Sequence, residues 1–322
     1  MNMRIGAWAA GLAMAWAGAA VAAQGFPDRP ITLVVPFAAG ASADGIGRVL
    51  AQELSTSLGQ PVIVRNQPGG GGAVGLMAVA HSQPDGYTLG LGATGAIAIN
   101  PHIPNAAPLK PNKDLAPVAK LADVPLVIVA GKRTGYKNLK DMLDKARAHP
   151  QDPIIFGTPG QYTAQHLSGE LLARMAGIRM NAVPYRGSGP AVTDLLGGQI
   201  GVAVVDLTSA YPHIKTGDLV ALGTTGARRS AVAPELPTIA EGGVAGYDAP
   251  AWMGLFAPAG IPPAAADKVS AAVKAALAQP EVRKRLINLA AEPDYMGPQD
   301  FSRFIARESN RWEQLLKSIN QR

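Results

Sequence analysis

The chain contains no cysteine. That excludes disulfides, thiol nucleophiles and thiolate metal sites, so the fold must be held by burial alone. Aromatic residues make up only 5% of the sequence and charged residues 16%. Basic side chains outnumber acidic ones, 29 against 23, for a formal net charge of +6. They cluster only at Lys132-Arg133, Arg228-Arg229 and Arg283-Lys284-Arg285. A nucleic-acid surface needs a longer basic stripe interleaved with aromatics, so nucleic acid is not an expected partner. The five histidines, His81, His102, His149, His166 and His213, never fall at metal-ligand spacing, and no H-E-x-x-H occurs. Neither a metal nor a cofactor is expected.

What is present begins with an export signal. Met1 to Arg4 forms a positive start, and Ile5 to Gly18 is an apolar run. Ala20-Val21-Ala22 and Val21-Ala22-Ala23 are small-x-small cleavage sites. Residues 1–23 therefore read as a signal peptide cleaved near Ala22 or Ala23, and the protein as soluble and periplasmic. Loss of Arg4 lowers the net charge from +6 by one, to +5. The remaining chain is long enough for one large or two ordinary domains, and 48% hydrophobic residues supply sizeable cores.

Short apolar runs alternate with helical patterns. Ile31–Val35, Pro61–Val64, Tyr87–Leu91, Leu126–Ala130, Ile154–Phe156, Gly201–Val205, Leu219–Leu222 and Trp252–Phe256 read as strands. Helical patterns cover 46–58, 73–81, 139–148, 165–175, 190–196, 263–278, 280–290 and 298–319. Residues 100–117 read as irregular and Pro-rich. The alternation predicts an α/β protein with largely parallel sheets. Gly90-Leu91-Gly92-Ala93-Thr94-Gly95 matches a dinucleotide fingerprint, but Asn100-Pro101 interrupts the helix that must follow. Gly69 to Gly72 lacks the Lys-Ser/Thr of a P-loop and reads as a turn.

Residues 36–44, Pro-Phe-Ala-Ala-Gly-Ala-Ser-Ala-Asp, join the first strand to a helix, with Ser42 as candidate N-cap. Free N–H groups and the helix dipole make such a loop a cradle for an anion. The segment has no general base and no Lys, so it suits holding a carboxylate rather than transforming one. Gly40-Ala41-Ser42-Ala43-Asp44 also resembles a nucleophile elbow with its last glycine displaced. A serine hydrolase using Ser42, Asp206 and either His166 or His213 is therefore the alternative. His166 otherwise reads as a structural hydrogen-bonder. A partner-binding exported protein without a small ligand is a third reading. Ile154 to Leu167 repeats the cradle: strand, Gly-rich loop with threonines, helix. Two cradles suggest two domains facing one ligand across a cleft.

With these residues in view, the sequence resembles the extracytoplasmic solute-binding proteins of the tripartite tricarboxylate transporter family, the Bug proteins. The shared landmarks are Phe26–Ile31, Val35–Asp44, Pro84–Leu89, His166–Leu171, Pro184–Ala191, Asp194–Gly198, Pro237–Gly243 and Trp252–Pro258. Their order along the chain carries the likeness more than any one of them. The resemblance implies a type II periplasmic-binding-protein fold: two α/β domains joined by two crossing strands, with a ligand cleft between them. It implies crossings near Val124 and Trp252, so that 24–123 plus 252–322 form domain 1 and 124–251 domain 2. It implies no enzyme activity, and capture of a di- or tricarboxylate, acidic amino acid or aromatic acid by closure. Inner-membrane permease subunits and a signalling receptor are the partners it suggests.

Carried over by position, the resemblance points to Phe37, Ala38, Gly40, Ser42 and Asp44 in the first loop. In the second it points to Thr158, Gly160, Thr163, Ala164 and His166. Tyr185, Arg186 and Gly187 match a further cleft segment, Asp206 ends a strand reaching the cleft, and Thr94 is a lining residue. Backbone N–H groups of 37–44 and 158–164 are expected to bind carboxylate oxygens, with hydroxyls from Ser42, Thr158 and Thr163. Asp44 and Asp206 do not suit a carboxylate; helix caps, held waters or a ligand amine are their expected partners. Ala41 and Tyr162 stand where the family often has glycine, so they bear on the shape of the cleft.

Overall fold

The structure, a computed structural model, describes residues 25–320 apart from 105 and 107, with side chains up to 317. The expected signal peptide, 1–23, lies outside these residues. The chain first lays down β1 (Ile31–Val35), β2 (Val62–Asn66), β3 (Thr88–Ala93) and β4 (Leu115–Asp123). It then crosses to a second sheet for β5 (Leu126–Gly131), β6 (Ile154–Thr158), β7 (Met180–Pro184), β8 (Val202–Asp206) and β9 (Leu219–Thr224). It returns to the first sheet with β10 (Trp252–Pro258) and β11 (Glu292–Met296). The strand orders are β11-β4-β10-β3-β1-β2 and β7-β6-β8-β5-β9.

The helices are α1 (Ser42–Leu58), α2 (Ala73–Ala80), α3 (Pro111–Asp114), α4 (Leu139–Ala148), α5 (Ala164–Ala176), α6 (Ser188–Gly197), α7 (Leu207–Lys215), α8 (Pro263–Ala278), α9 (Pro280–Asn288) and α10 (Pro298–Asn320). The opening unit shows why they form. Ile46, Val49, Leu50, Leu54 and Leu58 recur at helical spacing and are buried. Each such side chain contributes about 1.5–3 kcal/mol over exposure. Gly59 ends α1 in the left-handed conformation, its N–H returning to Ser55 O at 3.1 Å. Contact with β1 is so close that a Cβ on Gly47 would meet Val35 Cγ2 at 2.7 Å.

The expectation of largely parallel sheets is corrected. β1 pairs parallel with β2 and β3, and β6 with β7 and β8. But β10 runs antiparallel to β3 and β4, and β5 antiparallel to β8 and β9. The cause is the crossing: a chain arriving from the other sheet starts at the end where the resident strands finish. β4 and α7 are elements beyond those expected, and each carries a proline, Pro117 and Pro212. Pro117 sits opposite Phe256, where the ladder shifts register and no donor is required. Lys120, also in β4, is buried against Asp123 and Asp294, each at 2.6 Å.

Two short segments, around Val124 and Ala251, link the sheets and lie side by side, with Val124 N donating to Ala251 O at 2.8 Å. They also separate two spaces. On one side the sheets face each other across a cavity of about 40 Å³. On the other is a cavity of about 620 Å³. Val124, Ala251 and Trp252 line both. Further ties join the sheets' flanks: Ser230 and the Ala231 N–H donate to Glu292 at 2.5 and 2.8 Å, and the Thr208 hydroxyl donates to Leu289 O.

Candidate ligand-binding site

The loop after β1 contradicts the expected role of Ser42 as a cap. The capping position is Ala41, in extended conformation, with no side chain to bond the helix. Ser42 is the first helical residue, and its hydroxyl leaves α1 to donate to Asp206 Oδ2 at 2.8 Å. The loop is tied instead by Asp44. Its Oδ2 accepts from the Gly40 N–H at 3.0 Å and from Arg48 Nε at 2.9 Å, and its Oδ1 accepts from Asn66 Nδ2 at 2.9 Å. Burial pushes this carboxyl up, but the three donors together outweigh it and hold it below the ordinary range. The Gly40 N–H, expected to meet an anion, is thereby engaged. Ala38 accepts from Ala41 N at 3.1 Å. Phe37 lines the cavity, whereas Ala38, Gly40 and Asp44 stand behind it. The N–H groups of Ser42 and Ala43 remain beyond the reach of the helix's own carbonyls.

The second cradle keeps its hydroxyls to itself. Thr163 caps α5, accepting from His166 N at 3.2 Å and donating to Gly160 O at 2.8 Å. The Thr158 hydroxyl also donates to Gly160 O, at 3.1 Å. Neither hydroxyl is turned to the cleft, contrary to expectation. His166 Nδ1 accepts from Tyr162 N at 3.0 Å, which helps hold Tyr162 at φ 61°. Burial lowers the His166 pKa, favouring the neutral ring. Thr163 and Ala164 line the cavity; Thr158, Gly160 and His166 do not. The loop comes so near the opposite wall that a Cβ on Gly95 would lie 2.9 Å from Tyr162 O, and one on Gly71 2.8 Å from Gln161 O.

Of the third segment, Gly187 lines the cavity and opens α6 at φ 144°, a backbone suited to glycine. Tyr185 turns away and donates to Asp194 at 2.8 Å; burial first, then this bond, push its hydroxyl up to about 12. Arg186 is exposed and outside the wall. Thr94 lines the cavity but spends its hydroxyl on the Trp252 backbone, accepting from its N–H at 2.8 Å and donating to its carbonyl at 3.2 Å.

Asp206 is where these pieces meet. It ends β8, is 7% exposed and lines the cavity. Besides Ser42, it accepts from Gln165 Nε2 at 2.6 Å and Ser188 Oγ at 3.1 Å. One carboxylate thus gathers donors from the starts of α1, α5 and α6. Burial pushes its pKa up; the three hydrogen bonds counter only part of this. Gln165 and Ser188 were not read from the sequence. The available signal was position, since each stands in the first turn of a helix following a Gly-rich loop.

The imagined hydrolase triad is not assembled. Ser42 bonds directly to Asp206, His166 is turned to Tyr162 N and lies 3.7 Å from Glu170, and His213 sits in the last turn of α7. Among the described residues, the cavity wall contains no histidine.

A two-sheet architecture with helix starts converging on a cavity between the sheets defines a periplasmic-binding-protein fold. The same fold is found in the periplasmic binding protein BugD, at 32% identity and TM-score 0.85, over 91% of this chain and 98% of that one. A family model, the tripartite tricarboxylate transporter family receptor, matches residues 46–321, and the chain belongs to that family. Two ligand-bound structures are similar. An R. palustris protein with adipate has 33% identity and TM-score 0.87, over 91% of this chain and 98% of that one. MatC from Rhodopseudomonas palustris with bound malate has 34% identity and TM-score 0.83, over 90% and 99%. Among the described residues no helix is long and apolar enough to cross a membrane.

Proposed function

We propose that the protein is an extracytoplasmic solute-binding protein that captures a small carboxylate by closure of two domains and delivers it to a tripartite tricarboxylate-type transporter. The observation that carries this reading is the convergence of the starts of α1, α5 and α6 on one cavity between the sheets. Helix starts offer N–H groups and a favourable dipole to an anion. The relatives that hold adipate and malate support a dicarboxylate over other acids. We take residues 24–123 plus 252–322 and 124–251 as the two domains, moving about the segments at Val124 and Ala251. The periplasm is the compartment this implies. Permease subunits are the proposed partners, with a signalling receptor as a further recipient.

The cavity, about 40 Å³, is narrow for a dicarboxylate. A dicarboxylate must therefore part the walls to bind, and its two ends then bridge them. Bound ligand shifts the population toward its own closed form. The test is a thermal-shift screen of mature protein refolded from denaturant, against dicarboxylates, tricarboxylates, acidic amino acids and aromatic acids. A ligand at about 100 times its Kd adds about 2.7 kcal/mol. A selective rise in melting temperature with one acid is expected. Folded protein indifferent to the whole panel would overturn the reading.

A further inference from the structure

The cavity wall has an unusual charge composition for an anion site. Phe37, Ala41, Ala43, Pro159, Gly187 and Met253 are among its members, and among the described residues its one ionisable side chain is Asp206. No Lys, Arg or His lines it. Every donor that reaches Asp206 is neutral: two hydroxyls and one amide. The nearby charges are engaged elsewhere. On α1, Arg48 is paired with Asp44 behind the loop. On α5, His166 and Glu170 face each other outside the wall. On α6, Asp194 takes the Tyr185 hydroxyl, and Arg186 before it is exposed. On α7, which Asp206 precedes, His213 lies in the last turn. Across the sheet Asp206 is paired with Leu126 of β5.

An anionic ligand in this cavity would place a second carboxylate beside a buried first one, with no cation to separate them. Two carboxylates sharing such a site do not both stay ionised. We propose that Asp206 couples capture of the acid to uptake of one proton from solvent, held on its Oδ2 oxygen. The inference rests on the carboxylate-capture reading above and concerns how the same site handles charge.

The hydrogen-bond geometry supplies a place for the proton. Oδ1 accepts from Gln165 alone, whereas Oδ2 accepts from both Ser42 and Ser188. A serine hydroxyl can accept as well as donate. On protonation a new O–H bond forms at Oδ2 and donates to one of the two serine oxygens. The hydroxyl hydrogen of the serine that accepts it is then free to rotate toward the ligand carboxylate. Ser188 lines the cavity and is the serine placed to turn that hydrogen toward the ligand, while Ser42 keeps its bond to Oδ2. Burial raises Asp206 as well, which works in the same direction.

The sign follows from linkage. If the bound state holds one proton more than the free state, affinity rises as pH falls, by up to about tenfold per unit, between the free and bound pKa values of Asp206. Asp206→Asn mimics the protonated acid: its carbonyl can face Gln165 and its amide the two serines. Calorimetric titration in phosphate and in Tris, across pH 5.5–8.5, with adipate, malate and glutamate as probes, decides the matter. The expected result is uptake of about one proton by the wild type, with affinity falling as pH rises. Asp206→Asn is expected to bind without uptake, nearly independently of pH, and more tightly than wild type at pH 8. Binding to the wild type with no buffer-dependent heat would overturn the inference while leaving carboxylate capture intact. Uptake that persists in a folded Asp206→Asn protein would also overturn it. Silence from all three probes and from the wider panel would remove the underlying reading. The wild-type measurement stands even if the variant fails to fold.

Discussion

At the start of α5, Thr163 accepts from His166 N and donates to Gly160, so its hydroxyl serves its own loop. At the start of α1 the equivalent place belongs to Ala41, and the hydroxyl one residue later crosses the cleft to Asp206. Asp44 compensates by holding the Gly40 N–H from inside the helix. One strand–loop–helix plan is thus stabilised in two ways, by a threonine that caps and by an acid that reaches back. A helix start can thus be relieved of capping so that its first side chain serves the opposite wall. What looks like a missing cap is the condition for a contact between the two sheets.

Four substitutions test this contrast. The largest effect on the arrangement of the two walls is expected from Gly95→Ala. Its Cβ would press on Tyr162 O at 2.9 Å and Thr163 Cα at 3.0 Å, against backbone that cannot yield easily. Overpacking costs about 1–3 kcal/mol, so the closed arrangement should lose about 5- to 150-fold in population. Small-angle scattering should show a more open particle with unchanged far-ultraviolet dichroism; an unaltered profile would count against tight apposition of the loops.

Asp44→Asn should cost about 1.5–3 kcal/mol at neutral pH, since it weakens hydrogen bonds to a charged acceptor. The carboxyl is held below its ordinary value, so its contribution is fully present above the unfolded-state pKa of about 3.9 and is lost as pH falls through the lower folded value. Urea midpoints measured from pH 6 down to 2 should therefore converge between wild type and variant at the acid end. Parallel curves would assign the tie to something other than the charge.

Thr163→Ala should remove about 1 kcal/mol of capping and lower the melting temperature by about 2–4 °C. Ala41→Ser, placed in an extended conformation suited to a cap, should add about 0.5 kcal/mol or more. If the two changes moved stability in the same direction, the contrast between the loops would fail.

Much of this was legible in the sequence, for local reasons. The runs at 31–35, 126–130 and 154–156 are short, apolar and bounded by turn residues, and strands form there. Gly40, Gly160 and Gly187 mark loops whose φ values are positive. What could not be read depends on partners distant in sequence. Ser42 reads as a cap because capping is a local rule, and the competitor that wins its hydroxyl is 164 residues away. Gln165 and Ser188 carry no motif; they matter because β8 delivers Asp206 between them. Lys120 and Pro117 disguised β4, since a buried lysine is tolerated only beside Asp123 and Asp294, and Asp294 comes from a later strand.

The segments at Val124 and Ala251 have a consequence for volume. Their residues wall off a space of about 40 Å³ on one side and about 620 Å³ on the other. The same residues border both, so the proposed rotation about these segments would widen the narrow side while narrowing the broad one. Admitting a ligand would then chiefly move open space from one side of the segments to the other, with little net expansion. Hydrostatic pressure should accordingly bias the opening far less than the size of the incoming acid alone would suggest.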